Sequence, residues 1–559
     1  MKKARRLIAV LLLFCLLLPA VGGPADAADS KNPIKKVGLS YGSSGPTAAN
    51  LQNYTGAGSG FSFGYYDSSR NFVALAATAE TKLTVSLDKT QDLSSGAYVS
   101  SPASADGIFC PWHLSLAVED MAAAQSEAVR IRALGFNACP ASIAGKAAVW
   151  IGNYLTDELA AADADHVTSA VGGTVAPVGG DATVFRVAVT GTDKLQFVFK
   201  SGSTGLGIYP IASGSVQSQT WFSGYRYYGG FEYLANSYGL LTVINVVDLQ
   251  SYVKGVIPYE ISTSWPVEAQ KAQALCAKCF AYSASKHSSS GFDLCNGADC
   301  QVYRGVNAAT ATSDAAVEAI MGKNITYNGS PITSYYYSSN GGATENSENV
   351  WVATVGYLRG KKDPYEDPDV IPNYAYSSTI TAAQVATILR NKGYAIVTVK
   401  DMYVSKYTDV GNVYTLTVVD GDGKKWDFSK ATARSILGSS YVRSQHFTVT
   451  GGAASATVSV NGGAATIALP LPAVTVLGKD GAKQISGGVD TQVATGKGTV
   501  ALGDGKQSGA QTGVFTVSGA GNGHNVGMSQ WGIYCMAKKG MTYDQMLSFY
   551  YTGIKISDL

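Results

Sequence analysis

The chain passes from a strand-like to a helix-like pattern at Val256-Ile257-Pro258-Tyr259-Glu260 and Trp265-Pro266-Val267-Glu268-Ala269-Gln270-Lys271-Ala272-Gln273-Ala274. The apolar run predicts a strand that ends at Glu260. Pro266 predicts the first turn of a helix, because proline lacks only an N–H that has no partner there. A carboxyl group at this junction lies at the rim of a sheet, and desolvation by its apolar neighbours raises its pKa, which suits a general acid. The alternative is a structural Glu that precedes a helix and stabilises its dipole.

The N-terminus has the pattern of a secretory signal peptide. Residues 1–6 are mostly basic, an apolar run extends from Leu7 to about Val21, and Ala25-Asp26-Ala27 fits a cleavage site. We predict a signal peptide over residues 1–27, or a membrane anchor where this segment stays uncleaved. The protein is therefore expected to be extracytoplasmic, either secreted to the cell wall or anchored in the membrane.

The charge of the chain argues against a nucleic-acid partner. Its formal net charge is +2, and charged residues make up 15% of the sequence, whereas nucleic-acid binding calls for a basic patch. Tyrosine and glycine are abundant, with 33 and 63 residues. Tyrosine-rich polar surfaces suit stacking on sugars, but abundant tyrosine is also ordinary in β-sheets.

The organisation of the chain predicts a β-rich α+β fold, with a split catalytic domain that carries an inserted small α/β domain. Inside the insertion the order is β-α-β-β-α, with Gly135 as the C-cap of its first helix and Thr156 as the N-cap of its second. This order describes a small sheet with two helices on one face. The predicted parts are residues 1–27, an N-terminal β part 34–95, the insertion 108–175, a catalytic core 181–450, a β-rich insertion 451–512 and a C-terminal part 513–559. Later helices are predicted at residues 382–392, 528–538 and 543–550.

Four sequence patches lie in a fixed order along the chain. They are Gly255–Glu260 with Trp265–Ala274, then Asp293–Tyr303, then Tyr337–Trp351, and finally Gly523–Gly532. Together the patches resemble the stage II sporulation protein D / LytB family, and the resemblance runs from Lys35 to the C-terminus with two interruptions. The first interruption, residues 108–175, resembles a SPOR domain, a module that binds peptidoglycan glycan strands without stem peptides.

The resemblance implies a peptidoglycan lytic transglycosylase, with Glu260 as its catalytic acid. Such an enzyme cleaves between N-acetylmuramic acid and N-acetylglucosamine in strands stripped of peptides. An ordinary glycoside hydrolase needs two carboxyl groups, whereas a lytic enzyme uses the C6 hydroxyl of its substrate, so that one Glu acts as acid and then as base. The second carboxylates available to a hydrolase are Asp293, Glu345 and Glu348, and Glu345 is the best placed of them.

The remaining patches supply candidate sugar-binding residues. A Ser-Ser-Asn-Gly-Gly turn lets the backbone approach a ligand closely, although a tight turn that needs glycine is an equal explanation. His524 either orients Glu260 or the sugar, or is a hydrogen-bonded structural histidine. The candidate substrate-binding residues are Gln301, Tyr303, Ser338, Ser339, Asn340, Gly341, Gly342, Glu345, Asn346, His524 and Gln530.

Catalysis of this kind needs no cofactor, but His287, Cys295 and Cys300 are candidate ligands of a structural zinc ion. The family resemblance supports this trio. Because disulfides are the usual state of paired cysteines outside the cytoplasm, a Cys295–Cys300 disulfide is the alternative. Cys110 and Cys139 are a second candidate pair.

The expected partners are peptidoglycan glycan strands and an N-acetylmuramoyl-L-alanine amidase. The second functional hypothesis is a non-catalytic glycan-binding protein that enhances such an amidase. The sequence also departs from the family pattern: Lys278-Cys279-Phe280 stands where Arg-Thr-Tyr is usual, and Asn525 and Trp531 replace a common Gly and Tyr. These changes leave Glu260 in place but alter groups near the expected sugar site.

Overall fold

The computed structural model describes residues 31–92, 108–451 and 513–558, together with the backbone of six strands between residues 457 and 502. The predicted signal segment 1–27 and residues 93–107, which precede the predicted insertion, lie outside the described residues. Among the helices that are described, none combines the length and the apolar character needed to span a membrane.

The described chain has more strand than helix, which confirms the α+β class. The strands before residue 300 are β1 Ile34–Ser40, β2 Ala48–Asn53, β3 Phe61–Tyr66, β4 Phe72–Thr78, β5 Lys82–Leu87, β6 Gln91–Asp92, β7 Ile108–Phe109, β8 Trp112–Ala117, β9 Ala138–Ile143, β10 Lys146–Tyr154, β11 Ala176–Gly179, β12 Phe185–Val189, β13 Leu195–Lys200, β14 Leu206–Pro210, β15 Thr220–Phe222, β16 Tyr225–Tyr227, β17 Gly230–Ala235, β18 Leu241–Asp248 and β19 Leu294–Cys295. The later strands are β20 Lys323–Tyr327, β21 Ser330–Pro331, β22 Tyr336–Tyr337, β23 Ala375–Thr381, β24 Val399–Tyr407, β25 Val413–Asp420, β26 Lys425–Ser429, β27 Phe447–Gly451, β28 Thr457–Val460, β29 Ala465–Ala468, β30 Ala473–Gly478, β31 Gly481–Ser486, β32 Thr491–Thr495, β33 Gly498–Leu502, β34 Val514–Ala520, β35 Met528–Ser529 and β36 Lys555–Asp558. The helices are α1 Met121–Ala133, α2 Asp157–Val171, α3 Leu249–Glu260, α4 Val267–Tyr282, α5 Ala311–Glu318, α6 Ser347–Val350, α7 Ala382–Asn391, α8 Ala431–Ser435, α9 Gln530–Lys538 and α10 Tyr543–Tyr550.

The chain divides into two compact units, and the division falls inside α4. The first unit comprises residues 1–264 and 277–323, and the second comprises residues 265–276 and 324–558. Large sheets build the first unit: one of seven strands in the order β19-β1-β18-β17-β14-β3-β4, and one of ten strands in the order β11-β8-β10-β9-β13-β12-β5-β2-β15-β16. Phe63 of the first sheet stacks on Phe197 of the second with ring centroids 5.2 Å apart, so the two sheets share a core.

The region 108–175 has the element order that the sequence predicts, followed by β11. Gly135 has the positive φ of a helix C-cap, 97°, and the side chain of Thr156 accepts a hydrogen bond from the N–H of Leu159 at α2. Both helices pack on one face of β8–β10. The opposite face, which includes Cys139 and Trp150, packs against β12 and β13, so neither face of these strands is open. The SPOR-like identity of the region stays a prediction.

This region is continuous with its surroundings. Strand β9 pairs in parallel with β13, where Val198 lies opposite Ala141, so its strands belong to the ten-stranded sheet. Cys110 and Cys139 are both buried, and the structure shows no disulfide between them.

Glu260 ends a helix instead of the predicted strand. Strand β18 stops at Asp248, whose carboxylate accepts a hydrogen bond from the N–H of Ser251 at 2.9 Å and caps α3. The apolar residues Leu249, Tyr252, Val253, Val256 and Ile257 recur at helical spacing and are all buried. Pro258 lies in the last turn of α3, where it has no N–H to donate to the carbonyl of Lys254, so the helix lacks one hydrogen bond just before it ends.

The second unit consists of smaller sheets around its own cores. Strands β23-β34-β27 and β24-β25-β26 form two three-stranded sheets, which pack with α7 around a common cluster of buried residues. Helices α7 and α10 lie where the sequence predicts them, and α9 begins two residues later than expected because Met528 and Ser529 pair as strand β35. Between residues 457 and 502 the backbone forms three β-hairpins, β28–β29, β30–β31 and β32–β33.

Replacement of the cap should loosen the helix that carries Glu260. We expect Asp248→Ala to lower the free energy of unfolding by about 1 kcal/mol, because Ala cannot accept the hydrogen bond from the first turn. Urea unfolding followed by circular dichroism measures this difference. Asp248→Asn is the matched control, since Asn caps as well as Asp, and equal stability of the Ala variant and the wild type would contradict the assignment of the cap.

Candidate active site

Glu260 lies at the C-terminal end of α3 with its side chain partly exposed. Its Oε1 accepts a hydrogen bond from the backbone N–H of Val302 at 2.7 Å. The contact joins the first sequence patch to the second across 42 residues of chain. The helix C-terminus is the negative end of the helix dipole and disfavours a carboxylate, so the structure does not support the alternative of a Glu that leads a helix and stabilises its dipole.

Gln301 and Tyr303, predicted as sugar contacts, are instead internal supports of this segment. Each is 1% exposed. Gln301 Oε1 accepts a hydrogen bond from the hydroxyl of Tyr252 at 3.0 Å, and the hydroxyl of Tyr303 donates to Asn245 Oδ1 at 2.6 Å. Because these two side chains are anchored in the interior, the backbone N–H between them is held in place to meet Glu260.

An open cavity of about 520 Å³ lies in the first unit, and Glu260 is not among the residues that line it. Two connections join the cavity to the acid. Tyr225 lines the cavity and packs edge-on against Tyr259, with ring centroids 6.1 Å apart, and Arg304 lines it two residues after Val302. The lining residues are Leu39, Ser40, Pro46, Ala48, Ala49, Asn50, Phe222, Ser223, Tyr225, Tyr227, Asn296 and Arg304. Aromatic, hydroxyl and amide groups of this kind suit a sugar ligand.

The predicted metal ligands lie together in the first unit. Four side chains each place one potential ligand atom within 4.8 Å of the others: the predicted His287, Cys295 and Cys300, and in addition Asp299. Both cysteines are free. Two thiols, one imidazole and one carboxylate are the donors that a tetrahedral zinc ion takes, so the residues present fit that metal. Asp299 is absent from the predicted ligand set, because a carboxylate next to a cysteine is common on a protein surface.

The other carboxylates that a hydrolase would need are already engaged. Asp293 forms a two-point ion pair with Arg70, at 2.5 and 2.8 Å. Glu348 forms another with Arg359, at 2.5 and 2.7 Å, and hydrogen bonding to that guanidinium lowers the pKa of Glu348 to about 2. Both groups are held as structural carboxylates.

Glu345, expected to be the best second carboxylate, is 1% exposed. Its Oε1 accepts hydrogen bonds from Asn346 N and Asn349 Nδ2 at 2.7 and 2.9 Å. Its Oε2 accepts from Thr408 Oγ1 and Asn412 Nδ2 at 2.7 and 3.0 Å. A buried carboxylate with four donors is stabilised as an internal acceptor, and this corrects the prediction that Glu345 acts as a nucleophile or base or binds substrate.

In the second unit the third and fourth patches meet. Ser339 and Asn522 exchange backbone hydrogen bonds of 3.0 and 2.8 Å, and the N–H of Trp531 donates to the carbonyl of Ser338. The glycines of the turn have positive φ, 77° at Gly341 and 114° at Gly342, so the turn needs glycine for its conformation. Two residues of the turn, Gly342 and the hydroxyl-bearing Ser338, are partly exposed. Ser339, Asn340 and Gly341 are buried.

Glu366 binds the backbone of this turn through hydrogen bonds. The sequence analysis did not predict this residue. Its carboxylate accepts hydrogen bonds from Asn340 N at 2.6 Å, Gly341 N at 3.0 Å and Ser529 Oγ at 2.5 Å. Burial nevertheless raises the pKa of Glu366 to about 7. The only sequence signal is an acidic residue in a Pro-rich segment, which is ordinary in loops.

His524 is a neutral, hydrogen-bonded histidine in the second unit. Its Nδ1 accepts a hydrogen bond from the N–H of Val526 at 3.1 Å, and its ring contacts Tyr337 and Trp351 with centroids 5.2 and 5.3 Å away. Burial lowers the pKa of His524 to about 4. These contacts agree with the structural alternative for this residue.

Two further predicted sugar contacts serve the local fold of the second unit. Asn346 Oδ1 accepts from the N–H of Gly360 at 2.9 Å, and Gln530 is buried at the start of α9. Asn525, one of the departures from the family pattern, has φ 62°, a conformation that Gly and Asn adopt readily. Trp531 packs on Trp265 with ring centroids 4.9 Å apart.

A segment that lies mostly in the first unit matches a known family. Residues 237–327 match the family model SpoIID, described as stage II sporulation protein. This segment holds Glu260, Val302 and the cluster of His287, Cys295, Asp299 and Cys300. This match, together with relatives named stage II sporulation protein D and amidase enhancer, confirms for this segment the resemblance found in the sequence patches.

Relatives in two genera extend beyond that segment. The chain is 31% identical over 322 residues to a Bacillus subtilis protein named amidase enhancer, a match that covers 55% of this chain and 40% of that protein. It is 27% identical over 328 residues to stage II sporulation protein D of Bacillus subtilis, covering 56% of this chain and 75% of that protein. It is 26% identical over 338 residues to an uncharacterized protein of Brachyspira hyodysenteriae, a match that covers 60% of this chain and 73% of that protein. The chain thus spans less than half of the amidase enhancer.

Deprotonation of Glu366 should make the second unit less stable as the pH rises. Its pKa lies near 7 in the folded protein and near 4.5 in an unfolded chain, so the folded state holds this proton more tightly. Its contribution to stability is full below pH 4.5 and is lost as the pH rises through about 7. At about 1.4 kcal/mol for each pKa unit, the loss is on the order of 3 kcal/mol. Urea unfolding of the wild type and of Glu366→Gln between these pH values measures it.

The comparison of the two proteins isolates Glu366 from every other titrating group. The stability difference between wild type and Glu366→Gln should shift steadily with pH across this window, because Gln does not titrate. A difference that stays constant with pH would show that Glu366 has the same pKa in both states.

Proposed function

We propose that this protein is a peptidoglycan lytic transglycosylase that cleaves MurNAc-GlcNAc bonds in glycan strands without stem peptides. The observation that carries the proposal is the position of Glu260. Its partly exposed carboxyl group is held by Val302 N–H, and Tyr225 and Arg304, which line an open cavity with sugar-compatible groups, connect that cavity to the acid through Tyr259 and Val302. The match of residues 237–327 to the stage II sporulation protein family supports it. The sequence of residues 1–27 supports an extracytoplasmic location, where this substrate occurs.

A single carboxyl group suffices for the proposed reaction. Glu260 in its acid form donates a proton to the glycosidic oxygen as the bond from C1 of the muramic acid breaks. The resulting carboxylate then removes the proton of the C6 hydroxyl of the same sugar, and O6 bonds to C1 to form the 1,6-anhydro ring. Glu260 thus gives up one proton and regains one, and ends the reaction in its acid form. Because Asp293, Glu345 and Glu348 are engaged in other contacts, this route with one carboxylate is favoured over hydrolysis.

A second candidate function is favoured by one finding. The relative at 31% identity is named amidase enhancer, so an alternative role is to bind glycan strands and enhance an N-acetylmuramoyl-L-alanine amidase without cleaving the strands. Released sugar ends separate the two roles, since only the transglycosylase produces anhydro-muramic ends.

Removal of the acid should abolish cleavage. We expect Glu260→Gln to lower the rate of strand cleavage at least 100-fold, because a general acid contributes roughly 10²–10⁴-fold and Gln cannot exchange the proton. Purified wild type and variant are incubated with amidase-treated glycan strands, and mass spectrometry measures the anhydro-muramic products.

A matched variant of the same unit is Glu318→Gln, which removes an exposed carboxylate paired with Lys254. Its rate should equal that of the wild type. Absence of products from the wild type, with strand binding retained, would overturn the transglycosylase and favour the enhancer. Reducing ends in place of anhydro ends would instead indicate a hydrolase.

We also propose that His287, Cys295 and Cys300 hold a structural zinc ion, with Asp299 as the fourth ligand. Elemental mass spectrometry of the purified chain should find one zinc per molecule, lost in His287→Ala and in Cys295→Ser because the metal needs these donors. Cys110→Ser, which changes a buried cysteine outside the cluster, should keep the metal. A zinc-free protein whose intact mass is lower by two hydrogens would indicate the Cys295–Cys300 disulfide instead.

A further inference from the structure

The cavity lined by Tyr225 and Arg304 carries a positive charge. Of the residues that line it in the described part of the chain, Arg304 alone is charged. Its side chain is exposed, and the described residues place no carboxylate within ion-pair distance of its guanidinium. That guanidinium lies 6.0 Å from the ring centroid of Tyr225, over the wall of the cavity. The cavity is therefore positive and aromatic on one side.

The position of Arg304 is fixed relative to the acid by the backbone. Exposure alternates along this segment: Gln301 and Tyr303 are buried, whereas Val302 and Arg304 are more exposed. The N–H of Arg304 donates to the carbonyl of Gly255 in α3 at 3.4 Å, one helical turn before the acid. The segment that holds Glu260 thus also presents Arg304 to the cavity.

We propose that Arg304 binds the free lactyl carboxylate of N-acetylmuramic acid in strands without stem peptides. The inference rests on the proposed function and names the group by which that site selects its substrate. In intact peptidoglycan this carboxyl group is tied up as an amide to the peptide. Hydrolysis of the amide leaves a carboxylate on each muramic acid, and a planar guanidinium binds a carboxylate through two parallel hydrogen bonds.

The surroundings of Arg304 favour a sugar acid over a simple anion. Tyr225 supplies an aromatic face on which a sugar ring stacks, and Tyr259 supports that ring edge-on. Asn50 and Asn296 add amide groups to the same cavity, and amides donate to and accept from sugar hydroxyl and acetamido groups. A stem peptide on the muramic acid would remove the negative charge that Arg304 recognises.

The test compares two forms of one ligand. Amidase-treated glycan strands carry free lactyl carboxylates, and carbodiimide coupling with methylamine converts the same strands to neutral methylamides. Equilibrium binding to the full chain is measured for both. We expect wild type to bind the free strands about fivefold more tightly, the size of a charge pair at an exposed site. Arg304→Gln should bind both forms equally and as weakly as wild type binds the methylamide.

Arg226→Gln is the matched control, because Arg226 stacks on Tyr54 and Trp221 and does not line the cavity. It should keep the fivefold preference. Arg304→Lys should keep part of it, since Lys supplies the charge without the planar fork. Equal preference in wild type and Arg304→Gln would overturn the proposal. Binding is read without cleavage, so a protein that shows the preference but releases no anhydro products would refute only the transglycosylase.

Discussion

The hydrogen bond from Val302 N–H to Glu260 Oε1 is the contact on which the rest of the first unit's site depends. It holds a flexible side chain at the end of a helix against a segment that has no regular structure of its own. That segment is fixed from the inside, because Tyr252 and Asn245 anchor Gln301 and Tyr303 by hydrogen bonds in the core. The position of the acid is therefore set by buried tyrosines and amides in α3 itself, in the preceding strand β18 and on either side of Val302.

Much of the fold could be predicted from local sequence signals. Caps such as Thr156 and Gly135 fixed the helices of the 108–175 region, because a cap is a property of a few adjacent residues. The helix before Glu260 was missed because its apolar residues follow an apolar strand without a break, and only the Asp248 cap separates the two. A run of apolar residues alone does not distinguish a buried helix from a strand.

The candidate site was harder to predict, since it depends on partners distant in sequence. The third sequence patch suggested Glu345 as a second carboxylate. Thr408 and Asn412, from the turn between β24 and β25, donate hydrogen bonds to it and make it an internal acceptor. Glu366 gave no sequence signal, because its three donors come from the third and fourth patches. Asn525 shows the opposite case: its positive φ explains physically why a Gly position accepts Asn and few other residues.

The parallel pairing of β9 with β13 has a consequence for how the 108–175 region can be handled. If this region were expressed alone, β9 would become an edge strand with unpaired backbone groups, and the apolar face around Trp150 would lose its cover from β12 and β13. Exposed strand edges and apolar faces promote association between chains. Whatever its ancestry, the region has become a structural part of its host sheet, and a soluble fragment would have to extend at least through Lys200.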